Sequence, residues 1–229
     1  MVRLSVVVMA HEKRREWATQ LAKQMSARIV WDRIEDRHET GYRCLQAVEE
    51  GATHHVIVQD DAIACRGVVP GMARAVAQFP DRPVGMYLGV GRGGDARKLR
   101  LIDTARTEGA TWVSMGTGGP IWGVAMCLPV GDLEPLAEWY RKTTLKNYDR
   151  RIWTWYRDRG AEAVYTVPSL FDHRNGRENP SLIPGRRGLN RKAAWFIGED
   201  VSALDVHWNR RVVRPSPSTR KPELVEVGG

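Results

Sequence analysis

The order of elements in the first sixty residues constrains this chain more than any other feature. Leu4–Ala10 is a continuous apolar run rich in valine, as in a strand covered on both faces. Trp17, Leu21 and Met25 then recur at helical spacing. Arg28–Trp31 reads as a second strand ending at Asp32, and Thr40–Glu50 as a helix with Cys44, Leu45 and Val48 apolar and Gly51 as its stop. His54–Gln59 is a third strand that runs into Asp60-Asp61. This β-α-β-α-β order predicts an open α/β sheet whose connections cross its faces.

Further on, helices are expected over Gly67–Phe79, Leu133–Lys142 and Asp149–Arg159. Strands are expected over Val84–Val90, Thr111–Met115, Trp122–Leu128 and Ala163–Val167, with a basic, glycine-rich loop over Gly89–Arg100. Past Asp172 the periodicity weakens. Residues 1–175 are expected to form the main domain and 176–213 a basic, loop-rich extension packed on it. The Pro/Gly-rich 214–229 is expected to be a disordered tail.

The chain of 229 residues has no run of about 18 apolar residues, so no membrane span is expected. The apolar start lacks a basic leader and turns polar at His11-Glu12-Lys13-Arg14-Arg15, which favours a strand over a signal peptide. Cys44, Cys65 and Cys127 are odd in number and far apart, which argues against a disulfide framework or a thiolate zinc site and fits a reducing cytoplasm. The net charge of +8 concentrates in Arg82–Arg106 and Arg174–Lys192, an arrangement that attracts phosphate-bearing partners but also serves plain solubility.

Chemistry is indicated first by Gln59-Asp60-Asp61. Ligands of open α/β sheets bind outside the carboxyl ends of the strands. Adjacent carboxylates there repel unless a cation or donors satisfy them, and Mn²⁺ or Mg²⁺ with oxygen ligands would do so. A strand-end Asp-Asp also serves as a helix cap or turn. The pattern Gly89-Val90-Gly91-Arg92-Gly93-Gly94 matches G-x-G-x-x-G, but it comes after several sheet elements and lacks the acid that ends the next strand in dinucleotide-binding folds.

With its opening strand leading into Ala10-His11-Glu12-Lys13-Arg14, Asp32 after the second strand, Gln59-Asp60-Asp61 after the third and Val167-Pro168-Ser169-Leu170-Phe171-Asp172-His173 late on, the chain resembles GT-A glycosyltransferases, in particular small phage- and bacterial-type members. The resemblance covers roughly residues 1–175. It implies a single GT-A-like, Rossmann-related α/β domain with a central mixed, mostly parallel sheet flanked by helices. It also implies sugar transfer from a nucleotide-sugar donor, with uridine diphosphate as its nucleotide.

By that resemblance, Asp61 and His173 ligate the metal, the donor diphosphate supplies further oxygens, and Asp60 meets the ribose or sugar. Gln59, where related motifs often carry an acid, departs from the pattern. Asp149 is the candidate general base at the start of its helix, with a plain N-cap as the alternative. His11, Arg14, Asp32 and Arg43 are donor-side candidates. The loop Gly116-Thr117-Gly118-Gly119-Pro120 offers either backbone amides to the donor or a simple turn.

Arg177, Arg186, Arg187, Arg191 and Trp122 are acceptor-side candidates. On charge alone the acceptor leans to a hydroxymethylated pyrimidine in DNA, with a virion protein or an envelope saccharide as alternatives. Two other classes compete: a non-catalytic nucleic-acid-binding α/β protein, and a nucleotidyltransferase releasing pyrophosphate. The sugar, the anomeric outcome and the oligomeric state are not legible.

Overall fold

The computed structural model describes residues 1–90, 95–116, 119–175, 182 and 191–228. Its strands are β1 (Leu4–Ala10), β2 (Arg28–Trp31), β3 (His54–Gln59), β4 (Ala62–Ala64), β5 (Val84–Gly85), β6 (Trp112–Ser114), β7 (Ala125–Pro129), β8 (Val164–Thr166), β9 (Phe171–His173), β10 (Arg211–Pro215) and β11 (Pro222–Glu226). The helices are α1 (Arg15–Met25), α2 (Arg37–Gln46), α3 (Val68–Val76), α4 (Asp95–Thr107), α5 (Leu133–Lys142) and α6 (Tyr148–Asp158). Nine strands form one mixed sheet in the order β11-β10-β6-β8-β5-β7-β3-β1-β2, while β4 and β9 pair separately.

Alternation along the strands sends side chains to two cores. Val6, Val8, Val56 and Val58 face one layer, where Leu21 and Met25 of α1 pack with Met72 and Val76 of α3. Val7 and Ile57 face the other, against Leu45 of α2, Leu101 of α4, Leu136 and Tyr140 of α5, and Ile152 and Trp155 of α6. A sheet covered on both faces explains why β1 and β3 read as unbroken apolar runs. The expected mixed sheet between helices is therefore present.

Strand direction positions the site. β1 is parallel to β2 and β3; β7 is antiparallel to both β3 and β5, and β8 is parallel to β5. The carboxyl ends of β1, β3, β5 and β8 thus emerge on one edge, and the antiparallel β7 starts there. The β4–β9 pair lies just beyond it, with Ala62 opposite His173 and Ala64 opposite Phe171.

Several regions differ from the sequence reading, among them the second helix, which is Arg37–Gln46 rather than Thr40–Glu50, and β7, which begins at Ala125 rather than Trp122. Asp95–Thr107 is a helix, not part of a glycine-rich loop. Val84–Val90 is a strand only over Val84–Gly85. Residues 211–226 form the antiparallel pair β10–β11 on the sheet edge, with β10 parallel to β6, where prolines had implied a structureless tail. Pro215 and Pro222 sit opposite each other at the end of that ladder, a place where a missing N–H is tolerated. All three cysteines are buried and free. Among the described residues no helix is long and apolar enough to cross a membrane.

Candidate active site

Asp60 and Asp61 leave β3 on the edge where the strand ends converge, and both are buried. Asp60 Oδ2 accepts from the backbone N–H of His11 at 2.8 Å, which ties the end of β3 to the turn after β1. Asp60 Oδ1 accepts from Arg14 Nη1 at 3.0 Å, and the same nitrogen lies 2.8 Å from Asp61 Oδ2. Burial pushes the Asp60 carboxyl up to about 6, the neighbouring Asp61 charge adds to this, and Arg14 with the His11 amide oppose it.

His173 arrives from β9. Its pairing opposite Ala62, together with Arg174 N–H donating to the Asp61 carbonyl at 2.9 Å, brings Nε2 to 3.3 Å from Asp61 Oδ2. The other ring nitrogen, Nδ1, is buried and has no hydrogen-bond partner among the described residues. Neighbouring ligands of an octahedral ion bound at about 2.1 Å stand about 3 Å apart, so the Asp61–His173 separation fits two ligands of one divalent cation. Among the described residues no group of three or more His, Cys, Asp or Glu side chains converges in a metal cage. An ion held here would take its remaining ligands from water or from a bound molecule.

A second cluster lies alongside. After β5, the Tyr87 hydroxyl donates to the Arg191 carbonyl, and Arg191 N–H donates to Asn175 Oδ1 at 2.8 Å. Residues 192–194 run beside the chain after β5: Val90 N–H donates to the Lys192 carbonyl at 3.0 Å and Ala194 N–H to the Leu88 carbonyl at 2.8 Å. Trp122 meets Tyr87 edge-on at 6.4 Å, and Lys98 Nζ lies 4.9 Å from the Trp122 ring while donating to the Gly89 carbonyl at 2.6 Å.

Asp149 opens α6 in the same neighbourhood. Burial raises its carboxyl above the ordinary value, and the amides of Arg150 and Gly123 and the charge of Arg191 pull it back. The adjacent Tyr148 hydroxyl donates to the Gly123 carbonyl. A Cβ at Gly123 would stand 2.5 Å from that hydroxyl, so glycine is what lets α6 meet the turn before β7. Tyr87 feels the charges of both Asp61 and Arg191, which marks the two clusters as neighbours.

The structure thus brings Asp60, Asp61, His173, His11 and Arg14 into one group, and Asp149, Arg191 and Trp122 into the adjoining one. Within the first group, His11 acts through its backbone, while its Nδ1 accepts from Lys13 N–H at 3.1 Å. Gln59 is held by its own amide on the Val124 carbonyl at 2.9 Å.

Two donor-side candidates stand at the end of β2 on the same edge, where Asp32 N–H donates to the Ala10 carbonyl at 2.6 Å. Asp32 Oδ1 accepts from the amides of Ile34 and Asp36, both at 3.2 Å, and Arg43 donates to the Trp31 carbonyl. In the glycine loop, Gly119 N–H closes a turn on the Gly116 carbonyl at 2.9 Å; Thr117 and Gly118 lie outside the described residues. Arg177, Arg186 and Arg187 also lie outside them, as do residues 91–94 of the G-x-G-x-x-G pattern.

Sequence reasoning missed Tyr87, hidden inside an apolar run, and placed Lys98 on a basic loop near the site rather than on a helix.

No protein-family model matches the chain, and none of the curated proteins does. Among solved structures it is similar to a mutant Drosophila β-1,4-galactosyltransferase 7 in complex with manganese, UDP-Gal and xylobiose. That likeness has 10% identity over 98% of this chain and 92% of the other, with a TM-score of 0.41. At that level it assigns neither family nor activity.

Proposed function

We propose that this chain is a metal-dependent GT-A-type glycosyltransferase that moves a sugar from a nucleotide-sugar donor, with UDP as its nucleotide, to a hydroxyl acceptor. The observation that carries this reading is the buried Asp60-Asp61 pair at the end of β3 with His173 Nε2 3.3 Å from Asp61 Oδ2. Buried carboxylates side by side need positive charge; Arg14 supplies one guanidinium for the two, and the pair stands at a strand-end edge where ligands bind. A nucleic-acid-binding protein would need the arginines but not this acid–imidazole pair.

Asp61 and His173 would hold Mn²⁺ or Mg²⁺, which when bound supplies Lewis-acid stabilisation of the departing diphosphate. Asp60, fixed by the His11 amide, would orient the ribose or sugar. Asp149 would take the proton as the acceptor oxygen forms its bond to the anomeric carbon and the bond from that carbon to the donor phosphate oxygen breaks. Its half-buried position, which favours the protonated carboxyl, makes it a stronger base than an exposed aspartate. Trp122 and Arg191, beside Asp149, would face the acceptor.

The net charge of +8 and the basic 174–192 segment support a polyanionic acceptor, and hydroxymethyl-pyrimidine DNA is the acceptor we propose. The test is nucleoside diphosphate release from a panel of sugar nucleotides, with Mn²⁺ or chelator and with or without that DNA. Metal-dependent release stimulated by the DNA is expected. Release that ignores DNA keeps the transferase and redirects the acceptor to proteins or saccharides. Release of pyrophosphate identifies a nucleotidyltransferase, and absence of release from every donor overturns the reading.

A further inference from the structure

Arg14 differs from the other cations near the strand ends because one of its nitrogens serves both acids. Nη1 lies 3.0 Å from Asp60 Oδ1 and 2.8 Å from Asp61 Oδ2, with the arginine side chain only 12% exposed. The turn that carries it is fixed at both ends: Arg14 N–H donates to the His11 carbonyl at 2.9 Å, and the His11 amide is on Asp60. A guanidinium is always charged and weakly hydrated, which suits it to a buried position between carboxylates.

The oxygen that Arg14 holds is also the one that faces His173. Asp61 Oδ2 is 2.8 Å from Arg14 Nη1 and 3.3 Å from His173 Nε2. A divalent ion between that oxygen and the imidazole would stand beside a fixed positive charge in surroundings that screen poorly. Arg14 and the ion therefore compete for one carboxylate.

The geometry points to Arg14 as a built-in counter-ion that holds the acid pair until the donor arrives, then passes its charge to the donor diphosphate as the divalent cation takes Asp61. The inference rests on the metal-dependent reading above. Phosphate oxygens offer a guanidinium charge-assisted hydrogen bonds at least as good as those it gives up. Cation and nucleotide then bind as a linked pair, each raising the affinity for the other by the same factor. Arg14 is a positioning residue in this scheme, and it keeps the ion site weak while no donor is present.

The experiment is an electron paramagnetic resonance titration of Mn²⁺ into wild type, Arg14→Met and Arg14→Lys, each with and without UDP, with folding checked by circular dichroism. Arg14→Met is expected to bind Mn²⁺ alone about tenfold more tightly than wild type, and the gain from UDP is expected to shrink by a similar factor. Arg14→Lys, which keeps a cation, is expected to stay within about threefold of wild type. Equal or weaker Mn²⁺ binding by folded Arg14→Met overturns the competition. Failure of both proteins to bind Mn²⁺ even with UDP overturns the metal reading itself, and this inference with it.

Should Arg14→Met not fold, wild type labelled with ¹⁵N-arginine decides. The Arg14 Nε resonance, assigned with Arg14→Lys, must move when Mg²⁺ and UDP are added together. A resonance that stays put while calorimetry reports binding of both overturns the proposal.

Discussion

The two ends of β3 each bury a polar pair, and they do it differently. At the start, His54 and His55 are 4% and 0% exposed; at the finish, Asp60 and Asp61 are 4% and 5% exposed. The histidines are satisfied by neutral neighbours. His54 Nε2 meets the Pro80 carbonyl at 2.7 Å and Nδ1 meets Thr53 Oγ1 at 2.9 Å, while His55 reaches Ser5 Oγ at 3.0 Å and the Cys44 carbonyl at 2.7 Å. The acids instead repel each other and depend on Arg14 and His173, charged or chargeable groups from distant segments. Equal burial therefore does not mean equal purpose. A polar pair closed by the fold's own backbone and hydroxyls is part of the scaffold, whereas one that needs a cation is a place for a ligand.

Substitutions at the two ends should separate scaffold from site. The largest effect is expected for Asp61→Asn, which should cut sugar transfer by about 10³-fold or more, the several kcal/mol that a lost metal ligand takes from the transition state. Its melting temperature should hold or rise, because a buried repulsion is gone. Substantial activity in a folded Asp61→Asn protein would erase the distinction drawn here.

Asp149→Asn should lower kcat by roughly 10²–10⁴-fold with folding intact. In wild type the rate should fall on the acidic side as the raised Asp149 carboxyl takes up its proton, and that limb should be weaker in the variant, leaving what the raised Asp60 carboxyl contributes.

At the other end of the strand, His55→Ala should destabilise the fold by about 2–4 kcal/mol through the cavity and the orphaned Ser5 and Cys44 groups, while leaving turnover per folded molecule unchanged. Burial lowers the His55 pKa below its ordinary value, so the unfolded chain takes the proton first as pH falls. The contribution of this residue is therefore complete above about pH 6.5 and is lost progressively below it. Urea melts at two pH values should show a steeper loss in wild type than in His55→Leu. The smallest effect is expected for His54→Ala, about 1–2 kcal/mol in the same melts, since its partners lie nearer the surface.

What the sequence made legible follows the same division. β1, α1, β2 and β3 were readable because their periodicity is local, and α5 is Leu133–Lys142 as its spacing implied. α4 was obscured by the glycines before it and by charges spread around it: Leu101 and Ile102 are buried, while Leu99 is 41% exposed. β4 and β9 have three residues each, too few for any period, yet they deliver His173. The acid pair could be picked out at a strand end, and the histidine only through the resemblance its segment bears to glycosyltransferases. Arg14 as their common partner could not, because which nitrogen meets which oxygen is decided by packing rather than by spacing. The edge pair β10–β11 was masked by its prolines, which read as breakers when no neighbouring strand is in view.

The three-residue ladder between β4 and β9 has a consequence for the order in which this protein can be made. Asp61 and His173 are separated by more than a hundred residues of chain, and the ladder that joins them closes only after β5, β6, β7 and β8 have been synthesised. A nascent chain that has reached α5 carries the acid pair and Arg14 but not the His173 imidazole. Until the segment carrying His173 leaves the ribosome, the carboxylates have Arg14 and the His11 amide beside them but not that imidazole, and fragments ending before Phe171 should fail to gain affinity for Mn²⁺ when UDP is added. On the proposed reading, activity waits on topology for the segment through His173, because a contact of such long range cannot precede the segments that span it.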